Sequence, residues 1–223
     1  MNNIRESLDA VRDKILAACQ KAGRPSDAVR LVAVTKRVDV EGIRAAIALG
    51  VSDFGENYIQ EARRKIEAIE PGTTWHMIGH AQANKVKYIP RLFSYVQSVD
   101  RWELLEDLDR HGKDLSILFE VNLSGEPQKH GATADGLRSM LERVGRLGHI
   151  TPRGLMTMPP FSEDPEEARP IFRRLRELLQ EMNREFAMTM TELSMGMSGD
   201  FPVAIEEGAT MVRIGTAIFG ERA

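Results

Sequence analysis

The chain has one cysteine, Cys19, so no disulfide can join two parts of it. No apolar run approaches the roughly 18 residues that cross a bilayer. The opening Met-Asn-Asn-Ile-Arg-Glu has none of the apolar centre of a signal peptide. A net charge of -3, with both signs mixed along the chain, leaves no basic stripe for a nucleic acid. A lone thiol in an alanine-rich helical pattern reads as a small buried side chain, and its company points to a reducing, cytoplasmic setting.

What remains is ordinary globular composition over 223 residues, 42% hydrophobic and 28% charged. There is no linker, low-complexity tract or strong repeat, so one domain over residues 1–223 is expected. Ile4, Leu8, Val11, Ile15 and Ala18 mark the apolar face of a first helix that Gly23 ends. Short apolar runs then alternate with amphipathic segments. Eight runs predict strands, near 31–35, 52–55, 74–78, 94–98, 116–122, 153–157, 191–194 and 211–214. Asp39 and Thr133 are expected helix caps, Asp100 with Glu103 resembles a capping box, and Asp164-Pro165 opens the longest helix. Eight strands with helical connections predict a (β/α)8 TIM barrel with an extra N-terminal helix.

A barrel carries its chemistry on the loops after the strands. After the first run, Leu31-Val-Ala-Val-Thr, comes Lys36. A lysine there is most often a solvated charge, yet it is also where an amine for carbonyl chemistry would stand. Asn57 and Tyr58 follow the second run, and His80 the third. Ser194-Met-Gly-Met-Ser-Gly-Asp200 and Arg213-Ile-Gly-Thr-Ala217 follow the last two. Their glycines and hydroxyls, with a short helix expected to start near Gly199, suit a phosphate. Arg213 sits two residues before Gly215, so both face one side of the strand. His76 and His80 straddle a strand end with no Cys or carboxylate cluster beside them, so no metal site is expected. Met156, Met158, Met195 and Met197 read as packing residues, with Met156 also placed to touch a ligand face.

The motifs Leu31–Lys36, Phe54-Gly-Glu-Asn-Tyr58, Trp75-His-Met-Ile-Gly-His80, Gly154-Leu-Met-Thr-Met158, Leu193–Asp200 and Val212–Gly220 resemble those of the pyridoxal phosphate homeostasis proteins. Those are single-domain relatives of the N-terminal barrel of alanine racemase. The resemblance implies that pyridoxal 5'-phosphate is held by Lys36 as a Schiff base. It implies that Ser198, Gly215 and Thr216 hold its phosphate, and that Arg213 stands near the pyridine nitrogen. Asn57, His80 and Met156 fall at positions lining the cofactor. It further implies a role in vitamin B6 homeostasis, with apo forms of PLP-dependent enzymes as partners, and a monomer is expected. Ala81, Gln128-Lys129-His130 and Phe201-Pro202 depart from the commoner family pattern.

Racemisation needs an acid or base on each face of the ring. In alanine racemase the second comes from a tyrosine on another domain. This chain ends at Ala223, just after the last barrel element, so that domain is expected to be absent. Arg213 beside the ring nitrogen also disfavours its protonation and weakens the ring as an electron sink. A carrier or regulator is therefore expected. A PLP-dependent racemase or lyase is the alternative, and a cofactor-free phosphosugar Schiff-base enzyme is a third reading.

Overall fold

Alternation inside each apolar run decides the architecture. In the computed structural model, which describes residues 2–126 and 128–220, every predicted strand forms. They are β1 (Arg30–Val34), β2 (Asp53–Glu56), β3 (Thr74–Met77), β4 (Tyr95–Val99), β5 (Leu115–Glu120), β6 (Ile150–Met156), β7 (Glu192–Ser194) and β8 (Met211–Ile214). They pair in parallel in sequence order, and β1 also pairs with β8, so the sheet closes into a barrel.

Helices clothe it: α1 (Asn2–Lys21), α2 (Val40–Ala48), α3 (Ile59–Ala68), α4 (Ile89–Leu92), α5 (Trp102–Asp109), α6 (Ala134–Val144), α7 (Arg169–Glu185), α8 (Phe201–Glu206) and α9 (Thr216–Phe219). Outward strand residues such as Ala33, Phe54, Trp75, Val96, Phe119, Leu155 and Val212 join the buried helix faces in one apolar layer. On α7 that face is Phe172, Leu175, Leu178, Leu179 and Met182, each worth roughly 1.5–3 kcal/mol of burial. The extra helix α1 buries Leu8, Val11, Ile15, Ala18 and Cys19 and packs on α8, α9 and α2. Among the described residues no helix is long and apolar enough to cross a membrane.

The expected caps divide. Asp39 accepts from Gly42 N–H at 2.7 Å and Thr133 from Gly136 N–H at 3.1 Å, each stabilising a helix start. Asp164 caps a short 3-10 turn that leads into α7. The capping box at Asp100 does not form. Arg101 holds the N-cap position of α5 without a side-chain bond, and its guanidinium takes the Asp100 carboxylate at 2.7 Å. A charged neighbour one residue away outbids the helix's own N–H groups.

Candidate functional site

The interior of the barrel differs from its outer layer. Val32, Leu118, Met156 and Met211 form a small apolar plug, with Tyr95 against it. Around it runs a buried polar chain. Arg213 donates through Nη1 to Ser194 Oγ at 2.6 Å and through Nη2 to the Thr157 carbonyl at 3.0 Å. Ser194 then has its proton left for Gln97 Oε1, at 2.6 Å. That turns the Gln97 amide nitrogen toward His76 Nδ1, 2.9 Å away, which must accept. His76 therefore carries its proton on Nε2 and donates to Asp53 Oδ1 at 3.0 Å. Burial holds the His76 imidazole below its usual pKa, in keeping with this neutral form, despite the Asp53 carboxylate beside it. Arg213 is pushed down to about 10 by burial, opposed by Glu120 and Asp200, and stays charged near neutral pH.

Lys36 stands at the other side of the same mouth. It follows Thr35 in a tight turn closed by Val38 N–H on the Thr35 carbonyl, at 2.9 Å. Arg37, third in that turn, takes a φ of 59°, in the left-handed region. A buried ammonium clamps the turn. Lys65 of α3 donates to the Thr35 carbonyl at 2.5 Å and to Glu56 and Glu61, each at 2.7 Å. Thr35 Oγ1 donates to the same Glu56 oxygen at 2.6 Å. Burial pushes the Glu56 carboxyl up, against the hydrogen bonds from Lys65 and Thr35. Lys36 itself is exposed and points to the cavity.

That cavity, of about 300 Å³, brings together Lys36, Asn57, Ser198, Arg213, Gly215 and Thr216. Ser198 Oγ accepts from Ala217 N–H at 3.3 Å, which ties the two small-residue loops together. The helix expected at Gly199 starts at Phe201 instead. Asp200 lines the wall and accepts from Met197 N–H at 2.6 Å, with its carboxyl pushed up by burial. A carboxylate there opposes an anion, so the loops of Ser198–Gly199 and Gly215–Thr216 are the part suited to phosphate. Asn57 Oδ1 is buried without a protein partner among the described residues, leaving that side-chain atom for a ligand.

Two expected residues stand elsewhere. Met156 is fully buried in the apolar plug and lines neither cavity at the mouth. Its alternation on β6 aims it inward, and the plug closes over it. Met158, read from sequence as packing, is 40% exposed and borders both cavities. His80 lines an adjoining cavity of about 400 Å³ with Glu120 and His130, on the far side of Asn57 and Ile78. Sequence reasoning missed Asp200, Glu120 and His130. An acid ending an apolar strand was the available signal for Glu120; the others depend on loop course.

The family model "Alanine racemase, N-terminal domain" matches residues 7–223. The pyridoxal phosphate homeostasis protein of Aquifex aeolicus is 43% identical over 225 residues, 99% of each chain. The chain belongs to that family. The pyridoxal phosphate homeostasis protein of Pseudomonas aeruginosa is 40% identical, covering 100% of this chain and 97% of its own. PipY of Synechococcus elongatus PCC7942, solved with PLP bound, superposes with a TM-score of 0.87 at 35% identity, over 97% of this chain and 100% of that one. An alanine racemase from Clostridium difficile shares the fold at 14% identity, TM-score 0.78, over 99% of this chain and 57% of that one.

Proposed function

We propose that this family member binds pyridoxal 5'-phosphate in the 300 Å³ cavity and serves intracellular vitamin B6 homeostasis. One observation carries the reading: an exposed lysine amine and a buried arginine face one cavity that also takes in the small-residue stretches Ser198–Gly199 and Gly215–Thr216, with Ile78, Met158, Pro160 and Phe161 among its apolar wall. A phosphorylated pyridine aldehyde needs an amine, a phosphate cradle and a partner for its ring, and each is present. The volume falls within the range of small-molecule sites. The unpartnered Asn57 amide oxygen gives the ligand a further contact.

When bound, the cofactor supplies an aldehyde that an amine can hold reversibly. Lys36 provides that amine on a turn that Lys65 keeps in place. The phosphate is held by Ser198, Gly215 and Thr216, which turns a weak condensation between two molecules into a local one. Arg213 faces the ring with both Nη atoms already bonded to protein, so it presents fixed positive charge and no proton acceptor. That favours holding over turnover. Tyr58 lines the adjoining cavity, away from the lysine side. In this reading the protein is a cytoplasmic monomer that delivers cofactor to apo-enzymes.

The test is the visible absorption of the cofactor-loaded protein, repeated with Lys36→Ala. Loss of the band, and of the mass added at Lys36 by borohydride, is expected. A band that survives the substitution sinks the assignment. Exchange of the α-hydrogen of an amino acid at turnover rates would instead restore the racemase or lyase reading.

A further inference from the structure

His80 and His130, which line the adjoining cavity, stand close to Asp100. We propose that His80, Asp100 and His130 bind one divalent transition-metal ion of the zinc class. One donor atom of each lies within 4.8 Å of the others. The three stand on the loops that follow β3, β4 and β5, at the mouth of the barrel. Two imidazoles and a carboxylate are a donor set for such an ion, and they leave coordination positions open toward the cavity.

The supports of these side chains are pinned. Ser98 Oγ donates to the Gly79 carbonyl at 2.6 Å and Arg101 Nη2 to the Ala81 carbonyl at 2.8 Å, so the backbone on each side of His80 is held. Arg101 Nη1 occupies Asp100 Oδ1, and Asp100 Oδ2 faces His80 Nδ1 at 3.6 Å. His130 precedes Gly131, whose φ of +115° and missing side chain let the loop press onto β5. A Cβ there would lie 2.6 Å from Asn122 N. Ala132 N–H donates to the Glu120 carbonyl at 2.7 Å, and Asn122 Nδ2 to the Glu126 carbonyl at 2.9 Å, so the loop is braced on both sides of His130. Donors on braced supports lose little freedom when an ion arrives.

Charge points the same way. Glu120 faces this cavity, is 3% exposed, and accepts no side-chain hydrogen bond among the described residues. A cation held by Asp100 adds positive charge to the lobe that Glu120 lines. The rings of His80 and His130 stack, centroids 4.3 Å apart and 17° from parallel. Parallel rings do not aim two lone pairs at one point, so binding requires them to splay. Both side chains are exposed, so solvent leaves room for that change.

The test titrates the full chain, stripped with a chelator and free of cofactor, with Zn²⁺ by calorimetry and with Co²⁺ by visible absorption. One equivalent is expected, with cobalt bands of low coordination number. His80→Ala and His130→Ala should each weaken uptake by at least about tenfold, while the metal-free thermal midpoint stays put. Should either variant lower that midpoint, His80→Gln and His130→Gln replace it. Lys36→Ala should bind the ion unchanged, which separates this site from the cofactor reading. No stoichiometric uptake, or uptake that both histidine variants retain, overturns the proposal.

Discussion

The two cavities at the barrel mouth share Asn57, Ile78 and Met158 as a common wall, yet their chemistry is opposite. The lobe between β1 and β8 gathers a lysine, a buried arginine and small residues, a setting for an anion bearing an aldehyde. The lobe over β3, β4 and β5 is lined by His80, His130 and Glu120, with Asp100 beside the two imidazoles and Lys85 on its outer wall, and the imidazole–carboxylate group is the part suited to a cation. One scaffold achieves both because each loop is anchored by a different strand, so side chains on neighbouring loops vary independently. The lesson is that a shared mouth need not mean a shared ligand.

Substitutions can separate the lobes. Lys36→Ala should have the largest effect, abolishing covalent retention of the cofactor while changing stability by no more than about 0.5 kcal/mol, since the side chain is exposed. Absorption and urea denaturation read the two quantities. Gly79→Ala should damage both lobes together. A Cβ at Gly79 would lie 2.5 Å from the Asn57 carbonyl oxygen, and Asn57 borders both cavities. A loss of about 3 kcal/mol is expected, with weaker cofactor binding. A variant of full stability would show that the two loops move more freely than their contact suggests.

Glu120→Gln removes an acid from the second lobe and, with it, one of the two carboxylates that support the charge of Arg213 in the first. The folded carboxyl stands near 7 against an ordinary 4.5. Below 4.5 folded and unfolded chains both hold the proton, and the acid costs nothing. As pH rises toward 7 the unfolded chain ionises first, so stability is lost until the folded acid ionises too. In metal-free buffer the variant should therefore match the parent at pH 4 and exceed it at pH 8 by about 2 kcal/mol. Equal denaturation midpoints at pH 8 would contradict this. The smallest effect is a control outside both lobes. Ala187 follows the end of α7 with a φ of 50°. Ala187→Gly should add about 0.5 kcal/mol to stability and leave cofactor absorption unchanged.

The barrel was legible because each strand alternates between an apolar layer and an interior, and alternation is local. That Lys36, Ser198, Arg213, Gly215 and Thr216 share one cavity was legible from the strands: four of them follow a strand end, and Arg213 alternates inward within β8. Met156 shows the limit. Its facing was readable, but whether the plug closes over it depends on Val32, Leu118 and Met211, residues on three other strands. His130 and Asp100 are thirty positions apart, and their approach depends on the loop that Gly131 and Asn122 hold against β5. Asp100 was misread as a cap because the competing partner, Arg101, is invisible to a spacing rule.

The polar chain from Arg213 to Asp53 has a direction. An arginine can only donate, and that obligation passes through Ser194 and Gln97 until it selects the nitrogen on which His76 keeps its proton. Exchanging one NH₂ for oxygen, Gln97→Glu, would reverse the grammar at its midpoint. His76 would then have to donate at Nδ1, and Asp53 would keep its partner only if the ring took a second proton. A single atom in the middle of the barrel therefore sets the protonation state of a group at its floor.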